Sequence, residues 1–138
     1  MKFDWIKTIP DYTSYFNDDH RLIIKLIGID NYLKLYEYFG KTGIYFPARR
    51  SPEDIDGSVR RTENGTYNDQ DMILQLVGED NYLKLFAHFG KAGIYFSSSP
   101  IISLKKAWAV KNKHVDYNHA ARILNVSTKS IYNWRQVE

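Results

Sequence analysis

Leu26-Ile-Gly-Ile-Asp-Asn-Tyr-Leu-Lys-Leu-Tyr-Glu-Tyr-Phe-Gly-Lys-Thr-Gly-Ile-Tyr-Phe46 returns fifty residues later as Leu76-Val-Gly-Glu-Asp-Asn-Tyr-Leu-Lys-Leu-Phe-Ala-His-Phe-Gly-Lys-Ala-Gly-Ile-Tyr-Phe96, with no gap between the copies. Such a repeat is one supersecondary unit used twice. Two copies are too few for a solenoid and point to a pseudo-symmetric pair. Each copy reads as helix, break, helix, turn, strand.

In the first copy Asn17, Asp18 or Asp19 is positioned to cap a short helix carrying Leu22, Ile23, Leu26 and Ile27. Gly28 supplies the positive-φ residue that ends it. Asp30 or Asn31 is expected to cap the next helix by accepting from its unpaired amides. Tyr32, Leu35, Tyr36 and Phe39 then recur at i, i+3, i+4 and i+7, one apolar stripe. Gly40 stops the helix, Lys41-Thr42-Gly43 turns the chain, and Ile44-Tyr45-Phe46 is β-prone. The second copy repeats these devices with Asn68 or Asp69, Gly78, Asp80, the stripe Tyr82, Leu85, Phe86 and Phe89, then Gly90 and Ile94-Tyr95-Phe96.

A three-residue strand alone leaves its amides and carbonyls unpaired. Two identical strands in one chain remedy this as an antiparallel pair about a pseudo-twofold axis, and the two small helix pairs can share one core. The fold class is therefore mainly α: tandem helix-helix-strand repeats forming a pseudo-dimer with a two-stranded antiparallel sheet. The residues leave open whether the halves pair within a chain or between chains. We divide the chain into a first dimerisation-like repeat (1–47), a linker (48–67), a second repeat (68–97) and a C-terminal domain (101–138). The linker, with Arg49-Arg50 and Arg60-Arg61, is broken by Pro52, Gly57 and Gly65 and has no periodicity.

The bulk composition suits this division. The chain has 138 residues, 43% hydrophobic and 15% aromatic, enough for one ordinary domain or two very small ones, and globular. No apolar run approaches the roughly 20 residues of a membrane span. Charges in Met1-Lys-Phe-Asp-Trp-Ile-Lys-Thr argue against a secretory signal, and the absence of cysteine fits a reducing cytoplasm. The net charge of +3 is unevenly divided: residues 101–138 hold seven basic against two acidic side chains, while the remainder is slightly acidic. Such asymmetry suggests a nucleic-acid-binding end on a neutral body.

In that basic end, Ser97-Ser-Ser-Pro100 is expected to break the chain, and Ile101–Lys113 to form a helix with Ile101, Leu104, Trp108 and Val110 inward. Asp116-Tyr-Asn-His-Ala-Ala-Arg-Ile-Leu-Asn-Val-Ser-Thr-Lys-Ser-Ile-Tyr-Asn-Trp-Arg-Gln136 has the spacing of a helix-turn-helix. Ala121 is small where the helices cross, Asn125 tolerates the left-handed turn position, Val126 fills the corner and Ser127 is a good N-cap. Ile131 and Trp134 continue the buried face. Thr128, Lys129, Tyr132, Asn133 and Gln136 are left to read base edges, since Asn and Gln pair bidentately with adenine and Lys reaches guanine or phosphate. Ser127, Arg135, Lys105, Lys106, Lys111 and Lys113 are the candidate contacts to the DNA backbone. A helical hairpin that merely caps the core is the competing account, and the charge division weighs against it.

Taken together, the helix pair, the Gly-Lys-x-Gly-Ile-Tyr-Phe strand, the linking helix and the terminal motif resemble the Mor transcription activator family of phage regulators. Residues 68–136 resemble one complete family unit, and residues 17–47 a second dimerisation half without a DNA-binding domain. The resemblance implies intertwined N-terminal helices, strands paired across a twofold, and a strand region near DNA, which would make Lys91, Gly93 and Tyr95 backbone contacts. The implied function is sequence-specific binding of double-stranded DNA and transcription regulation of phage or prophage type, with activation through contacts to RNA polymerase. Loss of the first reading head suits an alternative, a modulator that pairs with a related regulator and binds DNA weakly or not at all.

Catalysis is not expected. His20, His88, His114 and His119 form no metal-ligand spacing. The carboxylates at 18–19 and 69–71 sit at helix starts, where negative charge is favourable in any case. Gly40 and Gly43 flank a turn before a strand and make no phosphate cradle. No catalytic residue, cofactor or metal is called for.

Overall fold

The structure, a computed structural model, describes residues 2–46 and 69–136. The expected linker over 48–67 and Asn68 as a cap lie outside the described residues. The fold is mainly helical with a small two-stranded antiparallel sheet. It divides into two compact bodies: a repeat body of residues 18–46 and 69–97, and a terminal body of residues 2–17 and 98–136.

In the repeat body α1 (Asp18–Ile27), α2 (Ile29–Phe39) and β1 (Gly43–Tyr45) are followed by α3 (Asp69–Val77), α4 (Glu79–Phe89) and β2 (Gly93–Tyr95). The strands begin one residue earlier than Ile44 and Ile94. Gly28 and Gly78 have φ of 87° and 89° with extended ψ, a region essentially reserved for glycine. They turn the chain so sharply that α2 and α4 start at the next residue. The expected capping by Asp30, Asn31 and Asp80 is therefore corrected: Gly28 and Gly78 hold the N-cap positions, with no side-chain cap bond. Asn31 and Asn81 turn backward instead, and their amides donate to Ile27 O (2.8 Å) and Val77 O (2.9 Å), closing the ends of the preceding helices. At the other end, Gly40 has an ordinary φ of −53°. Glycine is needed there because a Cβ would stand 2.7 Å from Tyr36 O. The left-handed residues are Lys41 and Lys91, at φ 67° and 69°.

The strands pair within the chain as Gly43↔Tyr95, Ile44↔Ile94 and Tyr45↔Gly93, a register unchanged when the copies are exchanged. Lys41 N–H to Phe96 O (2.7 Å) and Lys91 N–H to Phe46 O (2.8 Å) extend the ladder by the same symmetry. Each helix also packs on the other copy, α1 on α4 and α2 on α3. Ile44 and Ile94 point into the core, while Tyr45 and Tyr95 are exposed. Ile23, Tyr32, Leu35 and Phe39 are buried, as are their counterparts Ile73, Tyr82, Leu85 and Phe89, and Ile24 is buried where the outward Leu22 and Leu26 are only half-buried.

At the heart of this body two polar side chains do the same work with different chemistry. His20 Nε2 donates to the carbonyl of Tyr95 (2.9 Å), and its Nδ1 accepts from the Tyr32 hydroxyl (2.8 Å). The carbonyl can only accept, so the proton sits on Nε2. Fifty residues on, Gln70 Nε2 donates to the carbonyl of Tyr45 (2.6 Å) and its Oε1 accepts from the Tyr82 hydroxyl (2.8 Å). One residue pins each helix pair to the opposite strand. Burial holds the His20 imidazole below its ordinary pKa, against the opposing pull of the Tyr95 carbonyl and Asp19. Burial likewise pushes the Tyr32 phenol up, with the neighbouring Tyr36 adding to it.

The terminal body comprises two 3-10 helices (Asp4–Thr8 and Tyr12–Tyr15), α5 (Ser99–Lys111), α6 (Tyr117–Leu124) and α7 (Thr128–Gln136). The N-terminal segment, read above as part of the first repeat, packs on α5 through both 3-10 helices. Pro100 does not break the chain but opens α5, where its missing N–H costs nothing. Along α5 the inward residues are Ile101, Leu104, Trp108 and Ala109, so Ala109 takes the place assigned to Val110, which is half-buried. No helix among the described residues is long and apolar enough to cross a membrane.

Candidate nucleic-acid interface

The geometry of α6 and α7 follows from four residues. Asp116 caps α6, its carboxylate accepting from His119 N–H at 2.7 Å. Asn125 ends it in the left-handed conformation, φ 55° and ψ 54°, which lets Val126 N–H reach back to Ala121 O at 3.0 Å. Ser127 Oγ then accepts from Ser130 N–H at 3.1 Å and starts α7. Fully buried Ala120, Leu124 and Ile131 fill the crossing, and Ala121 is buried beside them. Of these Ala120 escaped the sequence reading, although a second alanine beside Ala121 is the signal for a close approach. Trp134 is half-buried.

α7 packs on both α5 and α6, leaving one long face open. Thr128, Lys129, Tyr132, Asn133 and Gln136 are all exposed on it. These residues offer a hydroxyl, an ammonium, two carboxamides and an aromatic ring within about two and a half turns of helix. No carboxylate stands among them.

The candidate backbone contacts are more scattered. Lys106 and Lys111 are exposed on α5, five residues apart and so not on one face. Lys105 is half-buried, and Lys113 is exposed in the turn before α6. Ser127 uses its hydroxyl as the helix cap and shares a contact with Ser130 Oγ at 3.1 Å. Lys91, Gly93 and Tyr95 belong to the repeat body, where Lys91 is exposed at its left-handed turn.

Arg135 has a role that the sequence did not disclose. Its Nε donates to Ala109 O at 3.0 Å and a terminal nitrogen to Asn112 O at 2.9 Å. The guanidinium thereby caps the C-terminal end of α5, where orphan carbonyls and the helix dipole favour a cation. Its carbon also lies 5.4 Å from the centre of the Tyr117 ring, within cation–π range. Beside it lies an open depression of about 400 Å³ lined by Lys113, Val115, Asp116, Tyr117, Arg135 and Gln136.

Among the described residues no group of three His, Asp or Glu side chains is placed to hold a metal ion. No family model, curated protein or solved structure matches the chain.

Proposed function

We propose that the chain is a sequence-specific DNA-binding transcription regulator of phage or prophage type, acting by binding and not by catalysis. In this reading α6 and α7 are a helix-turn-helix, α7 lies in the major groove, and the repeat body is a dimerisation fold closed within one chain. The observation that carries it is the exposed stripe Thr128, Lys129, Tyr132, Asn133 and Gln136, presented directly after a left-handed Asn125 and a Ser127 cap. Those side chains have the donors and acceptors that base edges require. Lys106, Lys111 and Lys113 supply positive charge for the phosphates. The resemblance to Mor-type activators points the same way and adds RNA polymerase as the protein contact, in the cytoplasm.

One observation favours the second reading. The strands satisfy each other inside the chain, so a monomer presents a single α7 and lacks the second half-site contact that dimeric regulators use. A modulator that pairs with a related regulator needs no more than that.

Fluorescence anisotropy of duplex DNA from the gene's upstream region, at two salt concentrations, separates the readings. The regulator binds that duplex more tightly than scrambled DNA, and binding weakens with salt. A K129A/N133A double variant loses on the order of tenfold or more, since a good bidentate base contact is worth about 1–3 kcal/mol. Absence of binding at low salt refutes direct regulation and leaves the modulator.

A further inference from the structure

Tyr117 and Tyr132 are large aromatic side chains left substantially exposed, at 42% and 51%. They come from different helices, Tyr117 from the first residue of α6 and Tyr132 from the middle of the exposed stripe of α7. Their ring centres are 6.0 Å apart with planes at 59°. That separation and tilt are those of a favourable aromatic pair.

The pair is also braced. Arg135, anchored by two carbonyls at the end of α5, holds its guanidinium over the Tyr117 ring. A ring fixed in this way loses little freedom when a ligand arrives, which is the condition for an exposed aromatic to contribute affinity. The core does not require the arrangement, because the crossing of α6 and α7 is already filled by Ala120, Leu124 and Ile131. What it creates is a rigid apolar wall at the edge of an otherwise polar face.

In the major groove one base group is apolar and projects outward: the 5-methyl of thymine. We infer that Tyr117 joins Tyr132 as a specificity-determining wall that recognises a thymine methyl group beside the bases read by Lys129 and Asn133. The inference rests on the proposed DNA-binding function and extends the reading surface from α7 to α6. The phenol oxygen of Tyr117 plays no part in it; the ring does.

The test uses the full chain and a duplex that it selects from a randomised library. Each thymine in that duplex is replaced in turn by deoxyuridine, which removes only the methyl group. At one or two positions the full chain binds the uracil duplex about fourfold more weakly, the worth of one buried methyl. Y117A and Y117Q lose that thymine-over-uracil preference while still binding, and Y117F keeps it. Two variants without the ring guard against a folding defect in either. If no thymine position matters, or if the ring-deleted variants weaken all duplexes equally and keep the preference, the wall is refuted while DNA binding stands. If the full chain selects no duplex even at low salt, the DNA-binding reading fails and this inference fails with it.

Discussion

His20 and Gln70 make opposing forecasts for two substitutions at one buried position. In H20A the Tyr32 hydroxyl loses its acceptor and the Tyr95 carbonyl its donor. Each buried polar group left unsatisfied costs about 1–3 kcal/mol. The ring also makes edge contacts with Phe96 and Tyr32, at 5.1 and 5.7 Å between centres, worth about 0.5–1.5 kcal/mol more. The sum is about 3–7 kcal/mol, or a melting temperature lower by roughly 10–25 °C for a chain of this size. H20Q installs the side chain that already performs the same task in the second copy and loses only the ring contacts, so its cost is about 0.5–1.5 kcal/mol. The two also differ in acid. Because burial lowers the folded pKa of His20, the unfolded chain binds the proton first as pH falls below the ordinary value of 6.5. Stability contributed by the neutral ring is thus fully present above 6.5 and is lost as pH drops toward the folded pKa. Thermal unfolding followed by circular dichroism, at about pH 7 and about pH 5.5, checks both points. Wild type loses more between the two conditions than H20Q does. The reasoning is refuted if H20Q melts as low as H20A, or if its acid sensitivity equals that of wild type.

Two further substitutions probe the terminal body. N125A forces a Cβ-bearing residue without a local polar side chain into the left-handed turn and costs about 1–2 kcal/mol, whereas N125G is neutral or slightly stabilising; equal melting temperatures for the two would contradict the role of the turn. R135A removes both donors to the α5 carbonyls and lowers stability by about 2–3 kcal/mol, and R135K, which cannot reproduce the fork, recovers only part of it; a chemical-denaturation curve for R135K that matches wild type would show that the two-carbonyl clamp is dispensable.

How much of this was legible in the sequence depends on the range of the interaction. The repeat placed both strands and the C-terminal ends of α2 and α4 to within a residue, because apolar stripes and glycines act locally. The antiparallel pairing followed as well, since each lone three-residue strand needs a partner and the other copy offers one; the register, centred on Ile44 and Ile94, came from the structure. The capping assignments at Asp30, Asn31 and Asp80 failed for a specific reason. A glycine with φ near 90° brings the second helix in so abruptly that no residue is left over to act as a side-chain cap, and Asn31 and Asn81 serve the helix behind them instead. The segment Phe3–Phe16 has neither helical nor strand periodicity, and its packing on α5 depends on residues far along the chain. On the candidate site, the exposed face of α7 could be read from Ser127 and Ile131 alone. The anchoring of Arg135 could not, because its partners are main-chain carbonyls at the end of another helix. The His20–Gln70 correspondence was available at the same fifty-residue offset as the repeat, but a histidine and a glutamine are recognised as equivalent only once their bonds are seen.

The docking of residues 2–17 onto α5 has a consequence for how the chain is made. Roughly 80 residues separate the two partners, a closure whose entropic cost grows only slowly with length but whose timing is strict. During synthesis the repeats emerge in full while the N-terminal 3-10 helices, with Trp5 and Ile6 destined for burial, still have no surface to cover them. Residues 2–17 thus leave the ribosome well before the helix that buries them, and the body that carries α7 is completed only once α5 has been made.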